Sequence, residues 1–131
     1  MGPFTVVIVD DVAIIREVLT ELLDTAPDLE VVGGVGDAET AVDLCRRLRP
    51  DIAMLDVHMP GGGPTAAARI REVSPDTTLV ALTSDSGPGS RRRMAAAGVE
   101  VYVVKGGPGS ELLTTIRTAV GSATDRPPPD G

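Results

Sequence analysis

Residues 52–60, with the sequence IAMLDVHMP, join a short apolar run to an aspartate and a proline. The apolar part, residues 52–55, is uninterrupted and lies between turn-forming residues. This pattern is typical of a strand that is buried on both faces. Asp56 follows at the carboxyl end, which in an open parallel sheet borders the crevice where ligands bind. Asp56 is therefore either a helix cap or a reacting group, and the rest of the chain must decide between them.

The composition predicts one domain with an aliphatic core. The chain has 131 residues, 42% of them hydrophobic, but no Trp, one Tyr and one Phe. No apolar run approaches the ~18 residues of a membrane span, and the N-terminus resembles a strand rather than a signal peptide. We therefore expect no membrane segment.

The net charge and the cysteine content indicate which partners and which cellular compartment to expect. The net charge of −7 argues against nucleic-acid binding by this chain alone. The single cysteine excludes an internal disulfide, which favours a reducing compartment and a cytoplasmic location.

Strand and helix patterns alternate five times along the chain. Apolar, β-branched runs predict strands at residues 4–9, 30–35, 52–55, 78–82 and 100–104. Asp37 is the predicted N-cap of the second helix and Ser110 that of the last. The alternation predicts a parallel sheet with helices on both faces. Residues 122–131 are rich in proline and are predicted to form a linker or tail, which leaves residues 1–121 as the domain.

Each of three predicted helices has an apolar face that should pack on the sheet. These faces consist of Ile15, Val18, Leu19 and Leu22 in the first helix, Ala41, Val42, Cys45 and Leu48 in the second, and Leu112, Leu113, Ile116 and Val120 in the last. Cys45 is accordingly interpreted as a small core residue and not as a reactive thiol.

Polar side chains follow four of the five predicted strands. They are Asp10 and Asp11 after the first strand, Asp56 after the third, Thr83 after the fourth and Lys105 after the fifth. A doubly wound sheet gathers the carboxyl ends of its strands along one edge. Three carboxylates, a hydroxyl and an ammonium group are thus expected to share one crevice.

Three carboxylates so close together require a counter-charge. Two unit charges ~5 Å apart repel each other by roughly 3 kcal/mol at an effective dielectric constant of 20. Mg²⁺ suits such a site because it accepts a few carboxylates, retains several waters and recruits phosphate oxygens. With the positive charge of Lys105 beside it, Asp56 has the surroundings of a carboxylate that forms an aspartyl-phosphate.

Each of these residues also has a purely structural interpretation. Asp10 and Asp11 are good helix caps, Lys105 could be a surface lysine, and Thr83 could be an ordinary strand-end hydroxyl. Any one of these interpretations is favoured when a residue is taken alone. The occurrence of all these residues together, at the ends of four strands, favours a functional site.

Four motifs together resemble the receiver domain of two-component response regulators. The motifs are VDD at 9–11, DVHMP at 56–60, LTS at 82–84 and YVVK at 102–105. The resemblance covers residues 4–120 and implies a flavodoxin-like (βα)5 fold with strand order 2-1-3-4-5. It implies that Asp56 accepts a phosphoryl group from a sensor histidine kinase. The implied Mg²⁺ ligands are Asp10, Asp11, Asp56 and the backbone carbonyl of His58.

The resemblance also implies roles for the remaining strand-end residues. Lys105 would bond the phosphoryl oxygens, while Thr83 and Tyr102 would form a switch in which the hydroxyl turns toward the phosphate and the ring moves inward. Gly106 stands where proline often follows the lysine, and this ending resembles NarL/LuxR-type receivers, which precede a helix-turn-helix DNA-binding domain. Pro64 stands where a glycine is usual.

On this interpretation the chain is not an enzyme, apart from its own phosphorylation and dephosphorylation. DNA would be bound only through an output domain that these 131 residues do not include. A phosphorylation-dependent homodimer is a further possible assembly. A stand-alone single-domain receiver is the main alternative. A pseudo-receiver is disfavoured because none of the acids is missing.

Two further alternatives fit the residues less well. A phosphatase of the haloacid dehalogenase type would need Asp-x-Asp on the first strand, whereas Asp10 and Asp11 are adjacent. Residues 33–36, GGVG, resemble part of a dinucleotide-binding loop but lack its final glycine and follow the second strand.

Overall fold

The computed structural model describes residues 2–84, 88–99 and 101–124, and five strands alternate there with five helices. The strands are β1 (Phe4–Val9), β2 (Leu29–Val35), β3 (Ile52–Asp56), β4 (Thr78–Thr83) and β5 (Val101–Val104). The helices are α1 (Ala13–Asp24), α2 (Ala38–Leu48), α3 (Gly63–Val73), α4 (Pro88–Ala96) and α5 (Gly109–Thr124). In this part of the chain no helix has the length and apolar character needed to cross a membrane.

The five strands form one parallel sheet in the order β2-β1-β3-β4-β5. This confirms the predicted doubly wound, flavodoxin-like topology. The pairing register aligns the carboxyl ends, because Val9 lies opposite Leu55, Asp56 opposite Leu82 and Thr83 opposite Val104. The residues that follow the strands therefore meet at one edge of the sheet.

Two aliphatic layers cover the sheet, as its alternating side chains require. One layer contains residues of α2, α3 and α4, and the other contains residues of α1 and α5. Neighbouring residues of β1 and β3 point into opposite layers, so both strands are buried on both faces. Cys45 lies fully buried in the first layer, and this burial raises the pKa of its thiol to about 11.

The N-terminal cap predicted from the sequence is found at α2 but not at α5. Asp37 accepts a hydrogen bond from the backbone N–H of Thr40 at 2.8 Å, which confirms the predicted N-cap. The prediction of Ser110 as a cap was wrong. The helix begins earlier, at Gly109, because the carbonyl of Pro108 already accepts bonds from the N–H groups of Glu111 and Leu112.

Two ends of the predicted elements differ from the described structure or lie outside it. Helix α5 continues to Thr124, past residue 121, where the domain was predicted to end. Two predictions lie outside the described residues: the linker from residue 125 onward, and Glu100 as the first residue of the fifth strand.

Two residues predicted to face the core are exposed instead. Val18 is 53% exposed because α1 buries the neighbouring stripe through Leu19 and Leu23. Leu48 is 45% exposed because it is the last residue of α2, where Arg49 turns the chain in a left-handed conformation. The spacing of apolar residues thus overestimated the width of the buried face on both helices.

Candidate functional site

The carboxyl edge of the sheet holds a cluster of three carboxylates. Asp10 and Asp11 follow β1, and Asp56 is the last residue of β3. One oxygen from each lies within 4.8 Å of the others. Asp10 is 0% and Asp56 4% exposed, whereas Asp11 is exposed. The cluster therefore has a buried floor and one side chain that faces solvent.

Lys105 brings the positive charge into this cluster. Its Nζ lies 2.5 Å from Oδ2 of Asp10 and 3.2 Å from Oδ1 of Asp56. Its backbone N–H donates to the carbonyl of Thr83 at 2.8 Å, which fixes the start of the loop after β5. One ammonium group among three carboxylates leaves the site short of positive charge.

The pKa of the Asp56 carboxyl is raised above its ordinary value. Burial is the largest cause, and the nearby charge of Asp10 adds to it. A hydrogen bond from the His58 N–H at 3.1 Å and the ammonium of Lys105 oppose the shift. Asp56 is therefore a poorly solvated carboxyl group whose charged form depends on Lys105 and the His58 N–H.

The pKa of Lys105 is also raised. Burial alone would lower it, but the close contact with the Asp10 carboxylate and the charges of Asp56 and Asp10 outweigh burial. Lys105 is therefore positively charged throughout the neutral pH range.

Asp10 serves the fold and the cluster at the same time. Its Oδ1 accepts a hydrogen bond from the Val12 N–H at 2.9 Å, which holds the turn before α1; the N-cap residue of that helix is Val12 and makes no side-chain cap bond, so the interpretation of Asp10 as a helix cap was wrong. Its Oδ2 is buried and accepts no hydrogen bond of good geometry, and the Lys105 ammonium is its ionic partner. A buried oxygen of this kind, beside two further carboxylates, fits a hard divalent cation.

Tyr102 is a residue of β5, and its hydroxyl reaches α4. Its hydroxyl is 3.0 Å from the backbone carbonyls of both Arg91 and Val99, and the Arg91 guanidinium lies 4.8 Å from the centre of its ring. Thr83 is buried at the end of β4. Any movement of the Tyr102 ring toward the cluster would have to break its bonds to α4.

Residues 6–117 match the sequence model described as "Response regulator receiver domain". The chain belongs to this family. The transcriptional regulatory protein DesR of Bacillus subtilis strain 168 is 32% identical over 117 residues, which make up 88% of this chain and 58% of DesR. The response regulator GacA of Pseudomonas viridiflava is 34% identical over 113 residues, or 86% of this chain and 53% of GacA.

A solved structure of a LuxR-family two-component response regulator from Aurantimonas sp. SI85-9A1 superposes on this receiver domain with a TM-score of 0.86. The two are 30% identical, and the match covers 92% of this chain and 87% of the other. The resemblance to two-component receivers, including the LuxR type, is thereby confirmed. The chain spans about half the length of the curated relatives it matches.

Gly63, to which the motifs assign no role, packs directly under the site of this receiver domain. A Cβ atom at Gly63 would lie 2.6 Å from the carbonyl oxygen of Asp56 and 2.8 Å from the Cα of Val57. Only glycine fits there without moving the Asp56 backbone. The loop reaches this position through Gly61 and Gly62, which both have positive φ. The glycine run was the available signal, and Pro64 then falls harmlessly in the first turn of α3.

Arg16 is a second residue that the motifs did not indicate. Its Nη1 donates a hydrogen bond to the backbone carbonyl of Asp10 at 2.6 Å. The roles predicted for the His58 carbonyl, as a metal ligand, and for Thr83 and Tyr102, as a switch, stay predictions. Asp10, Asp11, Asp56 and Lys105 are brought together as the sequence anticipated.

Proposed function

We propose that this receiver domain accepts a phosphoryl group on Asp56 from a phosphohistidine of a sensor kinase. The observation that supports the proposal most is the pairing of Asp56 with Lys105 inside a buried crevice that holds two further carboxylates. In the transfer, an Asp56 oxygen forms a bond to phosphorus while the phosphorus–nitrogen bond of the donor breaks. The imidazole leaves with the electron pair of that bond.

The other residues of the crevice would stabilise the charge of the transferred group. Lys105 supplies an ammonium that can shift from the two carboxylates to the phosphoryl oxygens. Asp10, Asp11, Asp56 and the backbone carbonyl of His58 would hold Mg²⁺, which supplies positive charge to the phosphoryl oxygens when it is bound. Thr83, buried beside the loop that starts at Lys105, can donate its hydroxyl proton to the same group.

The switch would act through α4. In the present structure Tyr102 is bonded to backbone carbonyls at Arg91 and Val99, on and just after this helix. If Thr83 turns toward a phosphoryl group, the space it leaves favours an inward position of the Tyr102 ring. The ring would then release α4, and the population of the two states would depend on phosphorylation.

A kinase must reach Asp56 across the rim of the crevice. Apolar side chains exposed near this edge include Val12, which follows Asp11, and Val104, which precedes Lys105. Ile14 and Val18 add two more on α1, at 58% and 53% exposed. Exposed apolar groups around a charged centre suit a protein partner. We also infer a cytoplasmic location and no catalytic activity beyond phosphorylation and dephosphorylation of the domain itself.

The first experiment tests the chemistry. The chain is incubated with Mg²⁺ and a small phosphodonor, and its mass is measured under conditions that preserve acylphosphates. We expect one added phosphoryl group, lost on treatment with hydroxylamine and absent in Asp56→Asn. Asp43→Asn, a change at an exposed aspartate of α2, is the matched control and should label normally. Full labelling of Asp56→Asn would refute Asp56 as the acceptor.

The second experiment tests the output. Relatives such as DesR and GacA are about twice as long as the matched region, and DesR is named as a transcriptional regulator. We infer that the parent gene continues past Gly131 into a basic, helix-rich DNA-binding segment. The 131 residues alone should not bind duplex DNA, with or without beryllofluoride. A stop codon after Gly131 would favour the stand-alone receiver, and chromatography with beryllofluoride would show whether the phosphorylated state forms a homodimer.

A further inference from the structure

The GGVG segment at residues 33–36 and Arg16 have no part in the phosphoryl chemistry proposed above, yet they meet beside the site. Arg16 lies near the start of α1 and is half-buried. Its Nη1 donates to the backbone carbonyl of Asp10 at 2.6 Å. The guanidinium therefore lies directly behind the residue whose side chain pairs with Lys105.

Two of the glycines lie against this side chain, and Gly36 is the closer one. A Cβ atom at Gly34 would lie 3.6 Å from Cδ of Arg16, and one at Gly36 would lie 3.3 Å from Nη1. The Cβ at Gly36 would also lie 3.6 Å from the Cα of Asp11. Glycine within or just after a strand often marks the close approach of another group. Here the group that approaches is the Arg16 guanidinium.

The hydrogen bond from Arg16 completes the fixation of the Asp10 backbone. On one side, the Asp10 N–H donates to the carbonyl of Val35 at the end of β2, at 3.0 Å. On the other side, the Asp10 carbonyl accepts from Arg16. This carbonyl belongs to the peptide unit that joins Asp10 to Asp11, so its orientation sets the direction in which the exposed Asp11 side chain leaves the chain.

We propose that Arg16 is a positioning residue of the metal site, which orients the peptide between Asp10 and Asp11 and thereby aims the Asp11 carboxylate at Asp10 and Asp56. Gly36, which directly follows β2, leaves room for the guanidinium, and Gly34 within β2 lies beside the Arg16 Cδ. The proposal rests on the proposed function, in which these three carboxylates hold Mg²⁺. Arg16 itself binds neither the metal nor the phosphoryl group.

Charge and geometry make opposite predictions for the loss of Arg16. If the guanidinium acted only through its positive charge, removing it would strengthen Mg²⁺ binding, because a cation beside the carboxylates repels a second one. If it acts by fixing the peptide, removing it should weaken Mg²⁺ binding. The sign of the change therefore separates the two roles.

The test is a calorimetric Mg²⁺ titration of the full chain at 25 °C, with circular dichroism to show that each variant is folded. Arg16→Met keeps most of the side-chain length and removes the donor, and we expect roughly five- to tenfold weaker binding, as for one lost hydrogen bond. Arg16→Lys should recover part of the affinity. Arg69→Met removes the same charge from an exposed position on α3 and should leave the affinity unchanged.

Gly36→Ala provides an arm that leaves Arg16 in place. The added methyl group would lie 3.3 Å from Nη1, so the guanidinium must shift by a few tenths of an ångström and Mg²⁺ binding should weaken here as well. This variant decides the question if Arg16→Met does not fold. Unchanged affinity in Gly36→Ala, or unchanged or tighter binding in Arg16→Met, would overturn the positioning role while the metal site stands. A parent chain that binds no Mg²⁺ would overturn the metal site and this role together.

Discussion

Lys105 lies closer to Asp10 than to Asp56, with its Nζ 2.5 Å from Asp10 Oδ2 and 3.2 Å from Asp56 Oδ1. The ammonium thus neutralises the most buried carboxylate of the cluster before any phosphoryl group arrives. It is the only lysine of the chain. One substitution at Lys105 therefore tests two contributions of this side chain. Thermal stability reports on folding, and the response to a phosphate mimic reports on signalling.

Lys105→Ala should destabilise the metal-free domain by about 2 kcal/mol, since it leaves two buried carboxylates without their partner. Mg²⁺ should then bind more tightly and restore much of the loss, because the competing ammonium is gone. Thermal melts with and without Mg²⁺ measure both effects. An equal Mg²⁺-induced rise in Tm in parent and variant would contradict this account.

The same variant tests the coupling to the switch. Tyr102 is the only tyrosine and the chain has no tryptophan, so tyrosine fluorescence reports on this residue alone. Beryllofluoride with Mg²⁺ should change the emission in the parent and much less in Lys105→Ala, which cannot bond the fluoride atoms. Arg69→Ala is the control for loss of charge. A full response in Lys105→Ala would show that the coupling does not pass through Lys105.

Asp11→Ala should weaken Mg²⁺ binding by at least about tenfold, because it removes one of the three carboxylates that would hold the metal. Asp11 is the one of the three that faces solvent. The metal-free domain should be as stable as the parent or more so, since one source of repulsion around Asp56 is removed. Calorimetry and thermal melts are the measurements. Asp76→Ala, at another exposed aspartate, should change neither quantity, and a parental Mg²⁺ affinity in Asp11→Ala would exclude Asp11 as a ligand.

Tyr102→Phe should loosen α4 without disturbing the core. The hydroxyl bonds to the carbonyls of Arg91 and Val99 are lost, while the ring can still lie under the Arg91 guanidinium. We expect a loss of about 1 kcal/mol and faster hydrogen exchange of the α4 amides. The amides of α2, on the far side of the same layer, serve as the internal control. Equal exchange of α4 in both proteins would mean that the hydroxyl does not hold this helix.

The burial of Cys45 should make the folded domain less stable at alkaline pH. In the unfolded chain its thiol titrates near the ordinary value of 9.0, whereas burial raises the pKa to about 11 in the fold. The unfolded state therefore releases this proton first, and stability is lost as the pH rises from about 9 toward 11. Cys45→Ala should flatten that part of the stability curve relative to the parent. At pH 8 the native thiol should resist alkylation until denaturant is added, and rapid native labelling would contradict its burial.

Much of the fold and of the candidate site could be predicted because both depend on local patterns. The uninterrupted run at residues 52–55 indicated a strand buried on both faces, and the structure buries it between two aliphatic layers. Parallel strands must share one carboxyl edge, so Asp10, Asp56 and Lys105 had to converge once five strands were recognised. The failures were also local: Ser110 lies inside its helix, and Val18 and Leu48 lie outside the core.

The alternation of elements and the charged residues at the edge of the sheet follow from the residue pattern, and the strand order follows from the family motifs. Which of these residues touch depends on the three-dimensional packing. Lys105 could have faced Asp56 alone, and Arg16 reaches the Asp10 carbonyl beside Gly36, which follows a strand that is distant from α1 in sequence. Periodicity fixes the face on which a side chain lies. Distances of a few ångströms are set by strand register and by the close approach of backbone to side chain, which no local pattern records.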